Sequence, residues 1–299
     1  MRVLVVIVTY NAMRWLDRCI GSLLASNVKA SIFVVDNCSC DGTPEYIYKH
    51  YPDVILLRNR TNLGFGKANN IGLQYALDEG YDYVYLLNQD AWIQSDTLEC
   101  LIATSQTHKE YGILSPLQME ANMLHLDKNF KRSVCSWESC PQLLDGVIVG
   151  PRKEVYEVQT LMAAHWFMTN ACIKAVGGFS PAFPHYGEDY NYLDRVHMRG
   201  IKVGIVPSLM VVHDREYRED TAEKLMYKRH ITAIGLLSSP NPTSNRWLRV
   251  INILLTDILR YHSFTPLQYF LQIVKGYSTI KKYRRESMLK DCAFLMPSS

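Results

Sequence analysis

The chain lacks the features that define several large classes of protein. No apolar run approaches the ~20 residues that a helix needs to span a bilayer. The first apolar run, residues 3–8, is too short for the core of a signal peptide. The net charge of +3 over 299 residues gives no electrostatic indication of nucleic-acid binding. These absences predict a cytoplasmic protein that has no nucleic-acid partner.

Several site motifs are also missing. The eight cysteines contain no C-x-x-C pair, and neither Cys38 with Cys40 nor Cys135 with Cys140 is accompanied by the second ligand pair of a zinc site. The turn that follows the first apolar run, residues 9–12, contains no glycine, which argues against a dinucleotide-binding Rossmann unit. The absence of G-x-x-x-x-G-K-[ST] argues against P-loop hydrolysis of ATP or GTP.

The first ninety residues alternate short apolar runs with helical patterns, and 48% of the whole chain is hydrophobic. Runs of this kind are typical of buried strands. The predicted strands span residues 3–8, 31–35, 54–57 and 83–87. Because strands and helices alternate, the pattern predicts an α/β fold with a mostly parallel sheet and helices on both faces.

The rest of the chain is less regular until it becomes entirely helical. Between the fourth strand and the tail, the pattern predicts strand and turn over 145–158, helices over 171–176 and 188–199, and strands over 203–206 and 209–212. Helical patterns follow over 222–238, 245–261 and 266–283, and the clearest break is at 238–243. We therefore expect a catalytic domain over 1–215 and a C-terminal helical extension over 216–299.

Polar residues follow each of the first four predicted strands. They are Thr9, Tyr10 and Asn11 after the first, Asp36 after the second, Asn62, Gly64 and Gly66 after the third, and Asn88, Gln89 and Asp90 after the fourth. Ligands of open α/β sheets bind beyond the carboxyl ends of the strands. A carboxylate there can hold a divalent cation against a phosphate, or accept a hydrogen bond from a pyrimidine ring. One such cluster alone would be typical of a capping turn, but four in succession favour a nucleotide pocket.

Five segments in this order resemble the family-2 glycosyltransferases of GT-A fold, with the rhamnosyltransferase-like bacterial enzymes as the most similar subgroup. The segments are VVIVTYN, VVDNCSCDGT, NLGFGKANNIG, LLNQDAWIQSDTL and VGGFSPAFPHYGEDYNYLDRVHMRG. The resemblance covers residues 3–215. It implies inverting transfer of a sugar from a nucleoside diphosphate sugar to a hydroxyl of a glycan or lipid-linked glycan, in bacterial surface polysaccharide synthesis.

The resemblance also implies roles on the donor side. Asp36 would bind the base. The nucleotide sugar would contact the other polar residues and glycines at the strand ends: Thr9, Tyr10, Asn11, Asn62, Gly64, Gly66, Asn88 and Gln89. Asn88 and Asp90 stand where the family has D-x-D, so Asp90 would hold Mg²⁺ or Mn²⁺ against the diphosphate. Asn88 departs from that motif by losing one carboxylate. His213 would complete the metal site, although a lone histidine at a strand end is equally well explained as a structural residue.

On the acceptor side, the resemblance implies that Asp189 of the Gly-Glu-Asp motif is the catalytic base and that Glu188 assists it. The same pair at a predicted helix start would also complement the helix dipole without any catalytic role. Trp166, His185 and Arg195 are the expected acceptor-binding residues. For Trp166, core packing is the alternative to stacking on a sugar.

The predicted helical tail interleaves basic and bulky apolar residues. Two interpretations remain open: peripheral contact with the inner face of the cell membrane, or a solvated charged face on helices that pack on the catalytic domain or in a homodimer. A non-catalytic carbohydrate-binding or scaffolding protein is the main alternative function, supported only by Asn88 and by Asn191, which replaces a common aspartate. A nucleotidyltransferase is disfavoured because the chain has no glycine-rich basic loop after its first strand.

Overall fold

The computed structural model of the protein describes residues 1–215, 221–241, 244–289 and 291–295. The strands are β1 (Val3–Thr9), β2 (Ser31–Asp36), β3 (Ile55–Arg58), β4 (Tyr83–Asn88), β5 (Ala91–Trp92), β6 (Tyr111–Met119), β7 (Tyr156–Glu157), β8 (His165–Thr169) and β9 (Lys202–His213). The helices are α1 (Leu16–Leu24), α2 (Thr43–His50), α3 (Phe65–Asp78), α4 (Thr97–Thr107), α5 (Lys128–Val134), α6 (Leu143–Ile148), α7 (Asn170–Val176), α8 (Glu188–Met198), α9 (Ala222–Ser238), α10 (Arg246–Tyr261) and α11 (Thr265–Leu289).

The strands form one sheet in the order β3-β2-β1-β4-β8-β6-β9-β5, and β7 also pairs with β9. The four predicted N-terminal strands are present and pair in parallel, as the β-α-β pattern requires. β8 is antiparallel to β4 and β6, β6 is parallel to β9, and both β5 and β7 are antiparallel to β9. The α/β class is confirmed, but the sheet is mixed beyond β4.

The central part of the chain contains the main differences from the sequence-based prediction. Residues 145–158 were expected to form strand and turn, but they contain the end of α6 and only the two-residue β7. The two strands expected at 203–206 and 209–212 are one strand, β9, whose pairing with β6 shifts register between Pro116 and Leu117. Such an irregularity interrupts the ladder without ending the strand.

Each face of the sheet has its own hydrophobic layer. Along β1, Leu4 and Val6 join one buried cluster, while Val3, Val5 and Ile7 join the other. This alternation follows from the two-residue period of a strand. Because both faces are covered, the sheet presents its strand ends, rather than a face, to a ligand.

The three predicted tail helices are present as α9, α10 and α11, and they share a third hydrophobic cluster. Phe183, from the segment before α8, belongs to that cluster. Beyond α11, Ala293 accepts a hydrogen bond from the backbone of Gly178 at 2.8 Å, so the chain returns to the turn between α7 and α8. Among the helices of the described residues, none combines the length and apolar composition that crossing a bilayer requires.

The boundary expected near residue 215 remains a prediction, since residues 216–220 lie outside the described part of the chain. The break expected at 238–243 begins where α9 ends, at Ser238. Two of its residues, Pro242 and Thr243, also lie outside the described ranges.

Candidate active site

The predicted base-binding carboxylate lies at the end of β2 and is held rigidly. Asp36 is 1% exposed. It accepts hydrogen bonds from the Thr9 hydroxyl at 3.0 Å and from the Ser39 hydroxyl at 2.5 Å and backbone amide at 3.0 Å. Thr9 is itself buried, so it positions the Asp36 carboxylate rather than lining an open pocket. The role of Asp36 in binding a base remains a prediction.

The side chain of Gln89 joins the ends of β1 and β4. It accepts from the Tyr10 amide at 2.7 Å and donates to the Tyr10 carbonyl oxygen at 3.3 Å. Asn11 similarly accepts from the Cys40 amide at 2.9 Å, which connects the β1 and β2 loops. Gln89 and Asn11 thus shape the predicted nucleotide pocket, and the exposed ring of Tyr10 is the part of this loop open to a ligand.

The glycine loop before α3 is shaped by the protein itself. Asn62 accepts from the Gly64 amide at 2.9 Å. A Cβ atom at Gly64, where φ is +80°, would lie 2.5 Å from the Pro184 carbonyl oxygen, and one at Gly66 would lie 2.9 Å from Phe179 Cβ. Both glycines are therefore needed for close approach to the segment that precedes α8, and their expected contact with the nucleotide sugar remains a prediction.

The structure brings together the two expected metal ligands, Asp90 and His213, with Asn88, the first residue of the expected D-x-D position. The Nε2 atom of His213 lies 3.3 Å from the side-chain nitrogen of Asn88 and 3.5 Å from a carboxylate oxygen of Asp90. Antiparallel pairing of β5 with the end of β9, in which Ala91 faces His213, creates this proximity. Burial would raise the pKa of the Asp90 carboxyl, but its contact with His213 and the charge of Arg215 hold that pKa below its ordinary value.

These residues fit a divalent cation that also binds a diphosphate. The side-chain oxygen of Asn88 is buried and has no hydrogen-bond partner, so it is available as a neutral oxygen ligand beside the Asp90 carboxylate. No group of three or more His, Cys, Asp or Glu side chains forms a complete metal cage within the described residues. Mg²⁺ is commonly held by one or two carboxylates together with substrate phosphates rather than by an all-protein cage.

A buried pair, Tyr85 and His165, holds the backbone of β9 next to His213, and the sequence analysis did not identify it. His165 is fully buried, and burial lowers the pKa of its imidazole to about 3. The neutral ring donates from Nε2 to the Val212 carbonyl oxygen at 2.9 Å and accepts at Nδ1 from the Tyr85 hydroxyl at 2.7 Å. The only sequence signal was a histidine within an otherwise apolar strand, which predicts burial but not its partners.

The two carboxylates of the Gly-Glu-Asp motif differ in environment. Glu188 is 6% exposed, and one of its carboxylate oxygens has no hydrogen-bond partner. Burial, followed by the charge of Asp189, raises the pKa of Glu188 to about 8. Asp189 is more accessible, and it accepts from the Tyr190 amide at 2.9 Å. Burial raises the pKa of Asp189 to about 6. At neutral pH, Asp189 is mostly ionised and Glu188 mostly protonated.

Two of the expected acceptor-binding residues belong to the core instead. Trp166 is fully buried and stacks on Phe179, with ring centroids 6.0 Å apart. Arg195 is also fully buried. It donates to the carbonyl oxygens of Val176 at 2.8 Å and Gly178 at 2.5 Å. The assignment of both residues to acceptor binding was therefore wrong: Trp166 fills the core and Arg195 holds the turn before α8, so neither reaches a sugar.

A cavity of about 1390 Å³ connects the donor and acceptor sides. Asn88 lines one part of it, while Glu188, Asp189 and the exposed His185 line another. His185 thus remains a candidate for acceptor contact. Residues of α5 and α9 form further walls, so the helical extension contributes directly to the site. Sequence periodicity could not show this, because it does not reveal where a tail packs.

The α/β sheet, with helices on both faces and a cavity near its strand ends, has the architecture of the GT-A fold. Residues 4–138 match the family described as Glycosyl transferase family 2. The N-terminal part of the chain is therefore similar to the family-2 glycosyltransferases.

Known proteins are similar over most of the chain. The N-acetylglucosaminyl-diphospho-decaprenol L-rhamnosyltransferase of Mycobacterium tuberculosis is 29% identical over 241 residues, which is 71% of this chain and 76% of that protein. The structure of S. aureus TarS 1-349 in complex with UDP has a TM-score of 0.58 at 15% identity, covering 95% of this chain and 91% of TarS 1-349. The mannosyltransferase PcManGT of Pyrobaculum calidifontis, in complex with GDP-Man and Mn²⁺, has a TM-score of 0.56 at 15% identity, covering 96% of this chain and 85% of that chain.

The buried Glu188 generates a prediction about stability. Its pKa in the folded state, about 8, exceeds the ordinary value of 4.5. Between these pH values the folded state binds more protons than the unfolded state, so the free energy of unfolding falls as pH rises. Glu188→Gln removes this dependence. The variant should be more stable than the parent by up to about 3 kcal/mol at pH 7 and nearly equal to it at pH 4.5.

Chemical denaturation at pH 4.5, 6 and 7.5 measures the effect. Glu138→Gln, at an exposed position, is the matched control and should follow the parent at every pH. Parallel pH profiles for the parent and Glu188→Gln would show that Glu188 is not held protonated.

Proposed function

We propose that the protein is a metal-dependent, inverting glycosyltransferase that moves a sugar from a nucleoside diphosphate sugar to a hydroxyl of a glycan or lipid-linked glycan. The observation that carries the proposal is the shared cavity, with Asn88 of the Asn88–Asp90–His213 group at one part and the Glu188–Asp189 pair at another. The comparisons support this enzyme rather than a non-catalytic binding protein: a relative acts as a rhamnosyltransferase, and solved neighbours contain UDP or GDP-Man.

On the donor side, Asp36 accepts a hydrogen bond from the base. Asp90 and His213, with the free oxygen of Asn88, would hold Mg²⁺ or Mn²⁺ beside the diphosphate. A divalent cation bound there offsets the negative charge that develops on the leaving diphosphate. The buried Tyr85–His165 pair keeps the end of β9 in place, so that the His213 ring stays directed at Asp90.

On the acceptor side, Asp189 accepts the proton of the attacking hydroxyl at the carboxylate oxygen that does not bind the Tyr190 amide. The acceptor oxygen then forms a bond to the anomeric carbon while the bond from that carbon to the diphosphate breaks. Attack from the face opposite the leaving group inverts the anomeric centre. Glu188, which is mostly protonated near neutral pH, can donate a hydrogen bond to the acceptor.

The tail offers a membrane-facing surface, which we call the α10 stripe: Leu248, Ile251, Leu255 and Leu259. These side chains are 62%, 39%, 54% and 74% exposed, and their spacing places them on one helix face. The helices α10 and α11 also carry exposed basic residues: Arg249, Arg260, Lys275, Lys282 and Arg285. Asp257, which is also on α10, is buried against Arg229 and is therefore not part of the exposed surface around the stripe. An apolar stripe with basic flanks suits the interface of an anionic bilayer.

The metal role of Asp90 is tested by Asp90→Asn, which keeps the shape of the side chain but removes its charge. Calorimetry with UDP, dTDP and GDP sugars in Mn²⁺ should show loss of metal-dependent binding, with little change in melting temperature. His213→Ala should weaken binding less, because water can replace one neutral ligand. Asp53→Asn, at an exposed position, should bind like the parent. Donor binding that persists unchanged in a chelator would rule out this metal site.

The base role of Asp189 is tested by Asp189→Asn. The kcat should fall ~10²–10⁴-fold, as expected for a lost general base, while donor affinity stays near that of the parent. In the parent, kcat should decline as pH falls through about 6, since Asp189 then becomes protonated. Glu188→Gln should lower kcat less or should raise the KM for the acceptor. An inactive Glu188→Gln beside an active Asp189→Asn would reverse the two roles.

Membrane contact is tested by Leu255→Glu/Leu259→Glu. Cosedimentation with phosphatidylglycerol vesicles at low salt should recover the parent but little of the double variant. Leu24→Glu, at a residue 62% exposed on α1, is the control and should cosediment like the parent. If the double variant instead converts a dimer to a monomer without affecting vesicle binding, the stripe contacts a second copy of the chain.

A further inference from the structure

Residues 292–295, at the end of the described part of the chain, lie on the turn between α7 and α8, and we call them the clasp. Two backbone hydrogen bonds join the clasp to this region. The Gly178 amide donates to the Ala293 carbonyl oxygen at 2.8 Å, and the Cys292 amide donates to the Lys174 carbonyl oxygen at 2.8 Å. Ala293 is only 2% exposed. The clasp is therefore part of the packed structure, although it is distant in the chain from the turn that it contacts.

The turn has room for the clasp because it consists of two glycines. Gly177 has a φ of +86°, and a Cβ atom there would overlap the backbone of Cys292 and Ala293. A Cβ atom at Gly178 would lie 2.8 Å from the Leu295 side chain. Glycine is the residue that combines a positive φ with so close an approach of a second backbone. The turn is thus shaped to receive the clasp.

The clasp also covers a buried cation. The Arg195 guanidinium lies 5.2 Å from the centre of the Phe294 ring and 4.9 Å from the centre of the Tyr192 ring. The same guanidinium donates to the carbonyl oxygens of Val176 and Gly178. The face of an aromatic ring attracts a cation, and the attraction is stronger where water is excluded. The two rings therefore stabilise a charge that burial disfavours.

Arg195 connects the clasp to the acceptor-side carboxylates. Glu188, Tyr192 and Arg195 are at positions i, i+4 and i+7 of α8, and all three are buried, so they share one face of the helix. On this face the Tyr192 hydroxyl also donates to the Gly177 carbonyl oxygen at 2.9 Å. The face that fixes α8 to the turn therefore carries Glu188 at its start, and Asp189 is the next residue. Displacement of Arg195 would displace the carboxylate pair with it.

We propose that Phe294 is a positioning residue for the Glu188–Asp189 pair. Its ring keeps the Arg195 guanidinium on the carbonyl groups of the turn, and this contact keeps α8 in the orientation in which its first residues face the cavity. Phe294 is not among the cavity-lining residues of the described chain, so it acts through Arg195 rather than on a sugar. This inference rests on the proposed function, because it takes Asp189 as the group that accepts the proton of the attacking hydroxyl.

The test separates the ring of Phe294 from its bulk. Phe294→Leu keeps an apolar side chain but removes the ring face, whereas Phe294→Tyr keeps the ring. Ile273→Val is the control for lost stability, because it removes one buried methyl group from the third hydrophobic cluster, which contains no clasp residue. Phe264→Leu, at a residue 82% exposed, is the control for the substitution itself.

Amide hydrogen exchange of the full chain measures the position of α8 directly. Phe294→Leu should raise exchange about tenfold at the start of α8, where the Asn191 amide donates to the Gly187 carbonyl oxygen. Exchange in β1 and β4 should stay as in the parent. Phe294→Tyr and both controls should match the parent throughout. Parent-like exchange at the start of α8 in Phe294→Leu would overturn the inference.

Turnover is measured in Mn²⁺ as hydrolysis of UDP, dTDP and GDP sugars, in which water takes the place of the acceptor hydroxyl. The water oxygen bonds to the anomeric carbon, one proton of the water passes to Asp189, and the bond to the diphosphate breaks. Phe294→Leu should lower kcat about tenfold, because the base is misplaced, while its affinity for the donor stays near that of the parent. Phe294→Tyr should restore kcat.

Two results would overturn the inference in this assay: a parent-like kcat for Phe294→Leu, or an equal fall in kcat for Ile273→Val, which would assign the effect to lost stability. A fall in donor affinity that accounts for the whole loss of turnover in Phe294→Leu would overturn it as well. A parent that binds none of the nucleotide sugars would instead contradict the proposed function. The exchange measurement needs no donor, so it would still decide whether Phe294 holds α8 in place.

Discussion

The short pairing of β5 with the end of β9 is the constraint on which the donor side depends. Ala91 lies opposite His213, and the amide of Asp214 donates to the carbonyl oxygen of Asp90 at 2.8 Å. These backbone bonds bring together a carboxylate and an imidazole from segments that are distant in the chain. The chain reverses directly after β4, so that β5 runs antiparallel to β9 and Asp90 lies next to the end of that strand.

A second constraint operates on the acceptor side, where burial separates the properties of two adjacent carboxylates. Glu188 is nearly buried and Asp189 is partly exposed, and both line the cavity. Desolvation raises the pKa of both carboxyls, the charge of Asp189 raises that of Glu188 further, and backbone hydrogen bonds lower that of Asp189. The resulting difference in pKa allows neighbouring residues to act as hydrogen-bond donor and proton acceptor at the same pH, at some expense in folding stability.

Much of the fold could be predicted from sequence, since hydrophobic periodicity reports burial directly. The first four strands and the three tail helices lie where their patterns indicate. The errors occur where periodicity is uninformative. Arg195 was assigned to the acceptor because it fits the family spacing after the Gly-Glu-Asp motif. The structure shows instead that its guanidinium satisfies two buried carbonyl groups, a role that depends on the conformation of the Gly177–Gly178 turn.

The sequence by itself determined the resemblance to family-2 glycosyltransferases, the α/β class and the identity of the residues at the strand ends, because these depend on local pattern and on motifs in a fixed order. Only the tertiary structure decided that Asn88, Asp90 and His213 form one group, that Trp166 belongs to the core, and that α5 and α9 line the same cavity. The physical reason is that proximity between distant segments, and the desolvation it produces, arise from packing that no local pattern encodes.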